Sequence, residues 1–190
     1  IADIFTNGSS VRVSAESGTD IRLNIRGRHG NYCPGFVERP GDLGSPPDIE
    51  ANISPIEDQS DGRIVVDGSI TCSEIGLLAK PVDLKIQEGR IREFKSERKD
   101  YLDNLNNILG DVSSKRRILA ECGVGLNPLA RLSGVMLTDE GSLGTVHFGF
   151  GSNHTVGGKN EIDFHLDFVV KKATIMVDDN FVLKDGKLAI

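Results

Sequence analysis

The segment Glu161-Ile-Asp-Phe-His-Leu-Asp-Phe-Val169 alternates without a break: Asp163, His165 and Asp167 are polar, while Ile162, Phe164, Leu166 and Phe168 are apolar. A period of two is the side-chain period of a β-strand, so the segment predicts a strand with its ionisable groups on one face. At about 3.3 Å per residue, His165 and Asp167 stand about 6.6 Å apart along such a strand. Side chains at that separation can converge on one small cation. The pattern recurs in Thr145-Val-His-Phe-Gly-Phe150, where His147 faces away from Val146, Phe148 and Phe150. A single His or Asp on such a face is ordinarily just solvated. Here three of the four histidines, His147, His154 and His165, fall within nineteen residues, and that clustering favours a metal site.

The length of 190 residues fits one domain spanning 1–190, with room for a substantial core. A net charge of −6 and a pI near 5.2 argue against nucleic acid or an acidic membrane as partner, because no basic run stands out. Arg116-Arg117 and the basic residues of Arg90–Lys99 are interspersed with acids and read as solvated surface. No apolar run approaches the roughly 20 residues of a membrane span, and no secretory core opens the chain. Cys33, Cys72 and Cys122 are odd in number and lack Cys-x-x-Cys spacing, which favours a reducing, cytoplasmic setting over a disulfide framework. The chain starts at Ile1 rather than Met, as a processed chain or a fragment of a longer one would.

Alternation predicts a hairpin of Val11–Ser14 and Ile21–Arg26, and strands at Gly62–Ser69, Val82–Gln87 and Arg90–Lys95, the last two joined by a tight turn at Glu88-Gly89. Gly27–Pro55 carries five prolines and no periodicity, so it reads as a long loop, either functional or a disordered surface excursion. Ser96–Leu109 switches to helical spacing, with Tyr101, Leu102, Leu105, Ile108 and Leu109 on one stripe, Ser96 as N-cap and Gly110 as C-cap. A short second helix is expected from Ser113 or Ser114 through Leu119. Strands at Gly144–Phe150, Ile162–Val170 and Thr174–Val177, and a pair around Asp185-Gly186, complete an α+β domain of mostly antiparallel or mixed sheet with few helices.

Taken in order, Pro46–Pro55, Ile64–Ile70, Glu121–Asn127, Gly144–Gly151, Gly157–Asn160 and His165–Asp167 resemble the C-terminal domain of the aminopeptidase T and aminopeptidase S metallopeptidases. Their superfamily also holds 2,5-dihydroxypyridine dioxygenase. The resemblance runs from Val11 to Leu188, and the N-terminal domain of those peptidases has no counterpart in this chain. It implies metal ligands at Glu50, Glu121, His147, His165 and Asp167, with Glu121 and His154 expected to act in catalysis. Where the peptidases carry a tyrosine seven residues after the first histidine, this sequence has His154.

Two divalent ions about 3.5–4 Å apart need bridging and terminal carboxylates together with imidazoles, which this set provides. The resemblance thus implies a two-metal aminopeptidase using zinc, cobalt or manganese on small peptides, and a homo-oligomer such as a dimer is expected. Asp163 is expected to orient His165. A first alternative is a mononuclear iron(II) ring-cleaving dioxygenase, with His165, Asp167 and one of His147 or His154 as a facial triad. A second is an inactive fragment or self-associating domain.

Overall fold

The alternation becomes two antiparallel sheets in the computed structural model, which describes residues 1–41 and 44–190. Helix α1 (Ala2–Asn7) precedes β1 (Ser10–Ser14) and β2 (Asp20–Asn24), and β3 (Gly30–Cys33) and β4 (Glu50–Ile53) follow. Next come β5 (Ser60–Val66), β6 (Ser69–Ile70), β7 (Gly76–Leu77), β8 (Val82–Gln87), β9 (Arg90–Lys95) and α2 (Lys99–Leu109). The chain continues through β10 (Leu119–Gly125), α3 (Met136–Glu140), β11 (Thr145–Gly151) and β12 (His165–Lys171). It ends in β13 (Thr174–Val177), β14 (Asn180–Lys184) and β15 (Lys187–Leu188). One sheet runs β15-β14-β13-β1-β2-β5-β8-β9 and the other β3-β4-β10-β11-β12-β6-β7. The α+β class expected from the alternation is the class observed.

Each sheet turns one apolar face inward, and a single buried cluster joins the two. Val11, Val13, Ile21, Leu23, Ile64 and Leu84 come from the first sheet; Val124, Val146, Phe148, Phe150, Leu166 and Phe168 come from the second. Phe150 and Phe168 meet edge to face, with ring centroids 5.2 Å apart. The β8–β9 turn puts Glu88 and Gly89 both at positive φ, 51° and 63°, the geometry that matches the twist of a two-residue hairpin. No helix among the described residues is long and apolar enough to cross a membrane.

Cross-strand partners share a face, so the register decides what lies opposite the core. Asn52 pairs with Gly123, Gly123 with His147, and His147 with Val169. One step along, Glu121 pairs with Gly149 and Gly149 with Asp167, while Gly151 pairs with His165. The outer face of the second sheet therefore gathers carboxylates and imidazoles across β4, β10, β11 and β12, with glycines between them.

Several sequence expectations change. Gly27–Pro55 is not one loop, since it contains β3 and β4 and places Glu50 on a strand. All four residues of β4 are buried. Its polar Glu50 and Asn52 face the outer cluster instead of solvent, which erases the apolar–polar contrast that marks a strand. The second helix is only a 3-10 turn, Lys115–Arg117, and Leu119 already begins β10. Glu121 is thus a mid-strand residue. Helix α2 starts at Lys99, with Ser96 Oγ accepting from the Arg98 N–H instead of capping the first turn. Strand β12 begins at His165, three residues later than Ile162. Asp42 and Leu43 of the expected loop lie outside the described residues.

Candidate metal centre

The strand positions above bring Glu50, Glu121, His147, His165 and Asp167 together in two overlapping groups. Glu50, Glu121 and His147 form one, and Glu121, His165 and Asp167 the other; within each, one donor atom per residue lies within 4.8 Å of the rest. His147 Nε2 is 3.0 Å from Glu50 Oε2 and 3.9 Å from Glu121 Oε1. His165 Nε2 is 3.4 Å from Glu121 Oε2 and 3.1 Å from Asp167 Oδ1. Glu121 is therefore the shared member, set between the two imidazoles.

Glycine makes the room. A β-carbon at Gly123 would come within 2.0 Å of His147 Nε2, and one at Gly149 within 2.5 Å of His165 Nε2. The imidazoles lie across the backbone of the neighbouring strand, in space only glycine leaves open. His165 Nδ1 is 2.8 Å from the Ser152 carbonyl, an arrangement in which Nδ1–H donates and Nε2 is turned toward the carboxylates. The expected partner Asp163 is exposed and lies two residues before the strand begins; the Ser152 carbonyl takes its place. Asn52 Nδ2 donates to Glu50 Oε1 at 2.6 Å, and Asn52 Oδ1 accepts in turn from Asn31 Nδ2. The backbone N–H of Asp167 donates to Thr71 Oγ1.

Glu140 and Asp48 join this cluster without having been expected. Glu140 ends α3, only half-buried, with its carboxyl against Asp167. Burial pushes its pKa up to about 10, with Asp167 and Glu50 adding to the effect, so Glu140 donates to Asp167. Burial and Glu50 raise Asp48 to about 6. Nothing in the local pattern singles out either residue, because a five-residue helix and a proline-flanked aspartate carry no period.

The other groups respond to the same crowding. Burial raises Glu121, reinforced by Glu50 and opposed by the imidazoles. Burial would lower both histidines, but Glu50 and Glu121 hold His147 well above its ordinary value, and Asp167 and Glu121 hold His165 up at about 10. Asp167 goes the other way, to about 2, where His165 outweighs burial. Five carboxyls around two imidazoles are an excess of negative charge in a buried place, here neutralised by protons. A divalent cation does the same work and displaces those protons. The hydrogen-bond account agrees. His147 Nδ1 is buried without a hydrogen-bond partner, Glu50 Oε2 meets only the His147 Nε2 3.0 Å away, and Asp167 Oδ2 has no partner but the Glu140 carboxyl. Buried polar atoms left open in this way are unusual unless an ion or water meets them. The residues thus fit a divalent metal, with nitrogen and oxygen donors of borderline hardness.

His154 stands apart. It opens the 3-10 turn His154–Val156, exposed, and belongs to neither group. The turn nevertheless borders the cluster: Ser152 bonds His165, and the Val156 carbonyl accepts from Asn31, which also reaches Asn52.

A family model described as NicX: 2,5-dihydroxypyridine 5,6-dioxygenase matches residues 2–190. A curated 2,5-dihydroxypyridine 5,6-dioxygenase from Pseudomonas putida strain KT2440 is 26% identical over 198 residues, covering 93% of this chain and 53% of that protein. The chain thus spans about half the length of that relative. The solved structure of 2,5-dihydroxypyridine dioxygenase from Pseudomonas putida KT2440 superposes with a TM-score of 0.86 at 22% identity, over 99% of this chain and 57% of the other. Wild-type AmpT from Thermus thermophilus superposes with a TM-score of 0.74 at 18% identity, over 96% and 50%. This second likeness upholds the fold shared with the aminopeptidase T proteins. The family model and the curated relative overturn the expectation of a hydrolase, aminopeptidase or protease acting on peptides. The ordered ligand motifs do not distinguish the two chemistries, and His154 in place of tyrosine was the sequence difference that pointed away from the peptidases. The chain belongs to the 2,5-dihydroxypyridine 5,6-dioxygenase family.

Proposed function

We propose that this chain carries the metal-binding face of an iron(II)-dependent dioxygenase that opens a dihydroxylated pyridine ring. The observation that carries the reading is the Glu121, His165 and Asp167 group, three donors gathered on one face of a sheet, in a chain of this family. Iron(II) held there supplies the redox chemistry by which dioxygen enters an aromatic ring.

The residues divide the remaining work. His165 Nε2, one Asp167 oxygen and one Glu121 oxygen would hold the ion, which would supply the redox chemistry of oxygen and ring. The Ser152 carbonyl fixes the His165 ring through Nδ1–H, and Glu140 steadies Asp167. Glu50 and His147, 3.0 Å apart and buried, form an adjacent pair able to hold the proton that a ring hydroxyl releases on binding. His154, exposed on the bordering turn, is placed to meet the polar edge of the substrate.

The test is anaerobic loading of the chain with iron(II), followed by oxygen and 2,5-dihydroxypyridine. Oxygen uptake matched to loss of the aromatic absorbance is the expected result. An iron-loaded chain that consumes neither would overturn the reading.

A further inference from the structure

The ten-residue connection Gly151–Asn160 leads from β11 toward β12 and delivers the Ser152 carbonyl to His165. It is held by a buried polar network centred on Asn153, which is fully buried. Asn153 Nδ2 donates to Ser54 Oγ and to Glu57 Oε1, each at 3.0 Å. Its Oδ1 accepts from the Asn160 N–H at 2.7 Å, its own N–H donates to the Asn160 carbonyl, and its carbonyl accepts from Gly158 at 2.8 Å. Both amide protons and the amide oxygen are therefore used, the complete capacity of one asparagine apart from a spare lone pair.

The network closes around it. Glu57 Oε1 also accepts from the Lys159 N–H at 2.6 Å, and Glu57 Oε2 pairs with Arg28 at 2.6 Å. Arg28 Nη1 in turn donates to the Gly157 carbonyl. Asn160 Nδ2 donates to the Gly151 carbonyl at 2.6 Å and to Lys115 at 3.1 Å, and the Ser152 N–H donates to Phe164 at 2.7 Å. A β-carbon at Gly158 would fall 1.9 Å from Asn153 Cγ, so the loop backbone closes directly onto the amide. Satisfied buried networks of this kind are rigid and specify one arrangement. Residues 151, 152, 153, 157, 158, 159 and 160 are all tied, and the residue between two tied neighbours is the one whose carbonyl orients the imidazole.

We propose that Asn153, with Glu57, is a positioning residue for His165: it fixes the Ser152 carbonyl, which in turn holds the imidazole with Nε2 toward the metal. It touches neither metal nor substrate. The χ2 torsion of histidine is broad and roughly two-fold, so the Ser152 carbonyl is what fixes the ring from its Nδ1 side. The inference rests on the reading that His165 is a metal ligand.

The experiment uses the 190-residue chain loaded with cobalt(II), whose paramagnetism shifts the exchangeable Nδ1–H proton of a coordinated histidine out of the ordinary spectrum. In N153A this proton exchanges with water faster, and cobalt leaves to a competing chelator about tenfold faster, the low end of the effect of an orienting partner on metal affinity. E57A does the same. E57Q, which keeps an acceptor oxygen for Asn153 and Lys159, matches the wild type in both measurements. Should N153A fail to fold, E57A, at the rim of the network, gives the same two readouts. Wild-type proton exchange and cobalt release in a folded N153A or E57A would overturn the proposal. A wild-type chain that binds no cobalt would overturn the metal reading beneath it, a distinct result seen before any variant is made.

Discussion

Gly123 lies directly opposite His147 across the β10–β11 ladder, and a β-carbon there would come within 2.0 Å of the imidazole Nε2. The backbone of one strand is in this way the floor of the site for a side chain on the next. Any residue larger than glycine must push His147 off Glu50 or force the strands apart.

G123A is accordingly expected to cost about 1–3 kcal/mol, the usual range for overpacking a filled interior. Denaturant unfolding measures it. The cost should shrink sharply in an H147A background, where the clashing ring is gone. Equal costs in both backgrounds would show that the strain lies elsewhere, since a shared contact must appear as a coupling between the two changes.

Asp167 is fully buried and sits at His165 Nε2. D167N keeps the shape and removes the charge that balances a cation. Cobalt(II) or iron(II) affinity should fall by at least about 100-fold, beyond the 10–100-fold typical of losing a partner that only orients a ligand. Isothermal titration of metal into both proteins decides it; a loss smaller than tenfold would place the ion away from Asp167.

H154A separates binding from turnover. His154 lies outside both donor groups, so metal affinity should be unchanged. If its imidazole meets the substrate, kcat/KM for 2,5-dihydroxypyridine should fall about 100-fold, the lower range for a lost proton-transfer group. A fall in metal content with no change in turnover per metal would instead make His154 a ligand.

Glu57 gives the fold a pH dependence outside the metal cluster. Burial raises its pKa, but the N–H groups of Lys159 and of Glu57 itself, the Asn153 amide and Arg28 together hold it below the usual 4.5. The folded value is depressed, so as pH falls the unfolded chain takes up the proton first. The contribution is complete above about pH 4.5 and disappears as pH drops through the folded value. Urea midpoints between about pH 6 and pH 3.5 should fall more steeply for the wild type than for E57Q. Parallel curves would remove Glu57 as a contributor.

Much of this was legible in the chain. Alternation in Thr145–Phe150 and around His165–Asp167 put the histidines and aspartate opposite the phenylalanines, because within one strand period two fixes the face of every residue. The stripe of α2 and the Glu88-Gly89 turn were local for the same reason: 3.6-residue spacing and positive φ are properties of short segments.

Tertiary structure decided the rest. Which residue of β10 meets which residue of β11 is set by burial along the whole strand, so the placement of Gly123 over His147 and Gly149 beside His165 is invisible to any local window. Glu50 and Asn52 looked like loop residues because they are polar at buried positions, and only the cluster they face explains that burial. Glu140 and Asn153 came to the site from a short helix and a turn whose sequences carry no period. The sequence by itself determined which side of each strand its side chains take, through the geometry of the extended backbone. Only the assembled sheets, through long-range register and the need to satisfy buried charge, determined that five carboxyls and two imidazoles share one place.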